Sequence, residues 1–290
     1  MSLDINLDVN IARIIHLKWE EQLEALISGR KTGDICLSSH EDCDLGVWIY
    51  SSGLQKYAQR PEIWALKDVH KAFHQQALGV TQAVAAGDKA QAEEAMGQVR
   101  GLSKEIIYQL TQMELAIIDS QQSAGGLLRR LTGGSQRQPL TMVQISDAKG
   151  LPFLRQRSKS LGAMLLNVNV ARLVHMRWTQ ELERSFRKRG RKLAPQPAEE
   201  CDLGVWLHGA ALKSYQDSET FLKLDEVHKH FHHHADRTIS FLNRRHYQDA
   251  DKAYDHVKEL SRDVVFLLTR IEREIEESPS LFQRLFTKGV

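Results

Sequence analysis

The 290-residue chain is 42% hydrophobic and 26% charged, the balance of a folded protein with core enough for one large domain or two ordinary ones. A formal net charge of +2 excludes a strongly basic binder of nucleic acid or acidic lipid, and no apolar run is long enough for a membrane span. Three cysteines are too few, and of the wrong parity, for a disulfide scaffold; the setting expected is reducing and cytoplasmic, where a cysteine at a special place binds metal or does redox chemistry.

The opening MSLDINLDVN has no basic region followed by an apolar core, so no secretory leader is expected. Ile11, Ile14, Ile15, Leu17 and Leu23 recur at helical spacing and predict a first helix ending near Gly29, with His16 on its core-facing side. A polar loop with Cys36 and His40 comes next. CDLGVWIYSSGLQKY, from Cys43, predicts a short helix entered at Asp44. Pro61 suits the first turn of a long helix through HKAFH to about Ala86, where Gly87 and Asp88 break it. A last helix from about Lys89 to Gln121 closes the unit; the basic-apolar pieces that end the two halves, LLRRL at Leu127 and LFQRLF at Leu281, read as helix-end packing, with a partner-docking or membrane-surface helix as the alternative. The stretch from Thr132 to Pro152 has paired glycines, two prolines and no helical period, and reads as a linker. Helix resumes near Arg155.

The second half of the chain repeats the first. VNIARIIHLKWEEQLE, from Val9, matches VNVARLVHMRWTQELE, from Val168. CDLGVW occurs at Cys43 and at Cys201. LKDVHKAFH and LSKEIIYQLTQME, from Leu66 and Leu102, match LDEVHKHFH and LSRDVVFLLTRIE, from Leu224 and Leu260. The first block is offset by 159 residues and the others by 158, so a single-residue gap before the cysteine aligns the halves. The expected fold is all-α: two tandem helical bundles of four to five helices each, pseudo-twofold related, over residues 1–131 and 153–290 with a linker at 132–152.

Both halves share one chemical set: His16, Cys43, His70 and His74 in the first, His175, Cys201, His228 and His232 in the second. The last two histidines of each set are spaced i, i+4, which puts two imidazoles on one helix face, one turn apart. Three imidazoles and a thiolate make a tetrahedral donor set suited to Zn²⁺, one ion per half. Alone, an HxxxH pair is commonly solvated and a buried cysteine commonly a small apolar residue; repetition of the whole set favours metal. A closed four-ligand site leaves no place for a substrate water, so no enzyme is expected. A di-iron centre needs bridging carboxylates, and these motifs repeat none at ligand-like spacing. His230, His233 and His234 are expected to point outward. Cys36 and His40 have no counterparts in the second half, and Cys36 reads as a spare thiol or, alternatively, as a resolving partner for Cys43. Trp19 and Trp178 read as core, as do Leu45, Val47 and Trp48. Gly46 and Gly204 read as points of close backbone approach. Arg13 and Arg172 either orient a carboxylate or lie exposed.

HLKW, CDLGVW and HKAFH, repeated as HMRW, CDLGVW and HKHFH, resemble the motifs of the chemoreceptor zinc-binding domain. That resemblance spans most of each half. It implies a helical bundle with one Zn²⁺ held by three histidines and one cysteine, on the same eight residues. It further implies a cytoplasmic sensory module of bacterial signalling that responds to zinc and to oxidants such as hypochlorous acid. Such a module acts through a partner such as a chemoreceptor, kinase or diguanylate cyclase. Family members pair as homodimers, and a tandem repeat can form a pseudo-dimer within one chain. No methyl-accepting hairpin or cyclase signature accompanies the two halves. A zinc-stabilised scaffold without a sensing role is the alternative reading.

Overall fold

The computed structural model describes residues 9–30, 38–131, 159–187 and 194–277, which form helices and no strand. The chain divides into two compact units, Met1–Ala116 and Ile117–Val290, each carrying one copy of the motifs. The linker expected at 132–152, Cys36 and the basic-apolar piece at Leu281 lie outside the described residues.

In the first half, α1 (Val9–Ile27) ends just before Gly29, whose φ of 69° belongs to the left-handed region that glycine adopts without strain. Next comes α2 (Asp44–Trp48), which widens into a π-turn at Ile49–Gly53 and closes as α3 (Leu54–Tyr57). Pro61 opens α4 (Pro61–Ala85) at a position where its missing N–H costs nothing. Gly87, at φ 74°, turns the chain into α5 (Lys89–Leu131), which continues past the end expected at Gln121 and through LLRRL. The second half has the same plan: α6 (Lys159–Arg187), a 3₁₀ turn at Ala198–Glu200, α7 (Asp202–Trp206), a π-turn at Leu207–Ala211, α8 (Leu212–Tyr215), α9 (Glu219–Asn243) and α10 (Tyr247–Glu277). Ser218 caps α9, its Oγ accepting from the Phe221 N–H.

The long helices show why the site is buried. On α4 the buried positions are Ile63, Leu66, His70, Phe73, His74, Ala77, Val80 and Ala83, steps of three and four apart save one adjacent pair. On α9 the same stripe reads Leu224, Val227, His228, Phe231, His232 and Ala235. The histidines occupy core positions, between phenylalanine and leucine side chains whose burial stabilises by roughly 1.5–3 kcal/mol each.

One expectation about the core needs correction, and one left open is decided. Val47 is 39% exposed, and Val205, its counterpart, 61%. Val47 stands two residues past buried Leu45, about 200° round the helix, whereas Trp48 returns to the buried side. Arg13 and Arg172, left open between two roles, are fully buried. Arg13 pairs with Glu114 and Arg172 with Glu272, so each guanidinium taken out of water meets a carboxylate from the last long helix of its unit.

Candidate metal centre

The cysteine is positioned first. Cys43 caps α2 with extended backbone, φ −74° and ψ 157°, and its Sγ accepts from the Gly46 N–H at 3.3 Å. Cys201 does the same before α7, at φ −75° and ψ 158°, with Gly204 N–H at 3.2 Å. The glycine is obligatory: a Cβ on Gly46 would lie 2.1 Å from the His40 carbonyl oxygen, and one on Gly204 1.7 Å from that of Ala198. The two preceding loops differ in sequence, yet both press backbone against this residue and hold the thiol at the helix mouth.

The i, i+4 histidines then close on that sulfur. His70 Nε2 lies 3.2 Å from Cys43 Sγ and 3.2 Å from His74 Nε2. In the second unit Cys201 Sγ lies 3.2 Å from His228 Nε2. One donor atom from each of Cys43, His70 and His74, and from each of Cys201, His228 and His232, falls within 4.8 Å of the other two. Metal–nitrogen bonds of about 2.0–2.1 Å give a tetrahedron with edges of about 3.4 Å, so these donors have the spacing of Zn²⁺ ligands. Outer hydrogen bonds orient the rings: His232 Nδ1 donates to the Gln196 carbonyl at 2.8 Å, and His74 is hydrogen-bonded to the backbone of Ser38.

The first-helix histidines stand beside these trios, differently in the two units. His16 Nδ1 donates to the Ala12 carbonyl at 2.7 Å, which leaves Nε2 as the ring's acceptor. That Nε2 is buried with no hydrogen-bond partner, and the ring centroid lies 5.5 Å from that of His70. A buried acceptor without a donor, next to three converging donors, fits a cation. His175 instead has Nε2 3.1 Å from Ser261 Oγ, and its ring stands 6.5 Å from that of His228. Of the eight candidate ligands, six form the two tight trios; His16 and His175 flank them.

Burial sets the protonation states. It pulls His70 down to about 2, His16 and His74 to about 4 and His228 to about 3, and it lowers His175 and His232 as well. The same burial pushes both thiols up, Cys201 to about 11. At neutral pH the metal-free residues therefore offer free imidazole lone pairs and one proton to lose per site. A cavity of ≈ 120 Å³ reaches the second site, lined in part by His175, Trp178, Gln196, Cys201 and His232.

Other residues came into the site unforeseen. Ser261 had a signal, since it is repeated as Ser103 at the same place in LSRD and LSKE. Gln196 had none, because its loop differs in sequence from the one before Cys43, although Ser38 there bonds His74 through its backbone as Gln196 bonds His232. Trp19 and Trp178 are half-buried and cover the ligands: their rings lie 4.8 Å from His74 and 5.2 Å from His232. His40, half-buried, has its ring 6.4 Å from that of His74. His230 and His233 are exposed as expected, whereas His234 is half-buried.

Residues 16–80 and 175–239 each match the family model of the chemoreceptor zinc-binding domain, ranges that contain all eight candidate ligands. No curated protein and no solved structure matches the chain.

Proposed function

The chain carries two chemoreceptor zinc-binding domains in tandem, and from that premise we propose that it is a cytoplasmic zinc-responsive regulatory protein of bacterial signalling, not an enzyme. His16, Cys43, His70 and His74 hold one Zn²⁺, and His175, Cys201, His228 and His232 a second. The observation that supports this reading most is the twice-built trio: thiol and two imidazoles buried on the same three-part scaffold, with donor distances of 3.2 Å.

The ligands come from separate segments: α1, the cap of α2, and α4, repeated as α6, the cap of α7, and α9. Bound Zn²⁺ supplies the positive charge that stabilises a thiolate and a cross-link between those segments. Structural zinc contributes on the order of 10 kcal/mol to the folding of small domains. A fraction of that biases which helix packing is populated. Cys43 and Cys201 are the oxidisable ligands; hypochlorous acid transfers its oxygen to either thiolate, giving a sulfenic acid and chloride, which weakens the ligand's hold and frees the helix it caps. The altered surface is read by a signalling partner such as a chemoreceptor, kinase or diguanylate cyclase. The alternative is a scaffold whose zinc never leaves.

Metal analysis of native protein, followed by circular dichroism during chelation, tests the proposal. Two zinc ions per chain and a change in near-UV signal on chelation are expected. Fewer than one ion per unit, or helix packing indifferent to removal, overturns it; zinc that never exchanges selects the scaffold.

A further inference from the structure

We infer that the second unit carries a further, solvent-open transition-metal site on its outer face, built by His234 of α9 and His256 of α10. The two rings stand 5.1 Å apart, centroid to centroid, across the helix pair. His256 is mostly exposed, and its Nδ1 lies 3.7 Å from a Glu259 carboxylate oxygen, leaving Nε2 to solvent and to an ion. His234 is half-buried, and its Nδ1 is buried with no hydrogen-bond partner in the protein. An imidazole with an unsatisfied nitrogen, facing a second imidazole on a neighbouring helix, matches the donor preference of Ni²⁺, Cu²⁺ and Zn²⁺.

This site is separate from the buried one on the same helix. His232 and His234 are two residues apart, about 200° round α9, so the helix that sends His228 and His232 inward turns His230 and His234 to its other side. His230, one turn before His234 and exposed, lies on the same face. His233, the next residue, has its ring 5.6 Å from that of His234, but among the described residues no third donor joins these rings within 4.8 Å, so the site is the His234–His256 pair. The first half supplies an internal comparison. With the 158-residue offset, His230, His233, His234 and His256 correspond to Ala72, Gln75, Gln76 and Gln98, none of them a metal-binding side chain. The duplication therefore kept the buried ligands in both halves and placed this outer histidine group in one. Lacking a thiolate and open to water, the outer site binds more weakly and exchanges faster than a buried thiolate site.

The experiment uses the full chain, untagged, with excess Zn²⁺ first supplied and then removed by gel filtration. Ni²⁺ is titrated into this protein by isothermal calorimetry, beside His234→Gln and His256→Gln variants that copy the residues of the first half. Zinc retained through the titration is counted by metal analysis, and far-UV circular dichroism confirms that the variants keep their helix content. The expected result is one Ni²⁺ equivalent on the native chain, lost in both variants while retained zinc is unchanged. No nickel uptake by the native chain, or uptake that survives both substitutions, overturns the inference. Failure of the buried sites shows separately, as absence of retained zinc before any nickel is added.

Discussion

At the scale of the residue, each site begins with neutral imidazoles and a protonated thiol, because burial lowers every candidate-ligand histidine and raises both cysteines. Zinc uptake at pH 7 should therefore release one proton per ion, from the cysteine. Calorimetry in buffers of differing ionisation enthalpy measures this, and release of two or none would mean a different donor set. Gly46 and Gly204, expected from the sequence to be points of close backbone approach, set the sulfur's position through contact with the His40 and Ala198 carbonyls. Gly46→Ala forces a methyl to within 2.1 Å of the His40 carbonyl oxygen, so the loop must move. A loss on the order of 1–3 kcal/mol, as for other overpacked positions, is expected in urea unfolding, together with weaker zinc binding in the first unit alone.

At the scale of the element, α4 and α9 carry ionisable rings on their apolar stripes, and this makes the metal-free fold sensitive to acid. His70 falls from 6.5 to about 2 on folding. Between those values the unfolded chain binds the proton and the folded chain does not, so stability falls as pH drops below 6.5 and the loss is complete near the folded value. The urea midpoint of chelated protein should decline steadily from pH 7 to pH 5; an unchanged midpoint would mean the rings are not buried neutral. A second element-scale test concerns the guanidinium that joins α1 to α5. Arg13→Ala removes the buried guanidinium that pairs with Glu114 and should cost about 3–5 kcal/mol. Replacing Arg13 and Glu114 together by Met and Leu should recover most of that loss. The first helix was legible from its apolar spacing, but that Arg13 lies inside was not, since it depends on α5, a hundred residues away, bringing a carboxylate to it.

At the scale of the whole molecule, the chain is one design built twice with unequal details. Cys43→Ala should leave one zinc per chain, and Cys201→Ala likewise, with the other unit intact by metal analysis. Removal should be unequal: His175 is drawn to Ser261, and a cavity of ≈ 120 Å³ reaches Cys201. A chelator followed by stopped-flow absorbance should strip the second unit first, and Ser261→Ala, by freeing His175, should slow that phase. A single phase in the native chain would count against the inequality. The duplication and the helical class were readable from the one-dimensional string, as was the repeated His and Cys set from which the two buried trios come, because apolar spacing and repeated positions are properties of chain order. Which nitrogen each imidazole presents, which arginine is buried, and that His175 turns to Ser261 while His16 keeps a free Nε2, only the folded chain decided. Those outcomes depend on rotamers and on neighbours contributed by distant helices and unrepeated loops, and chain order carries no record of either.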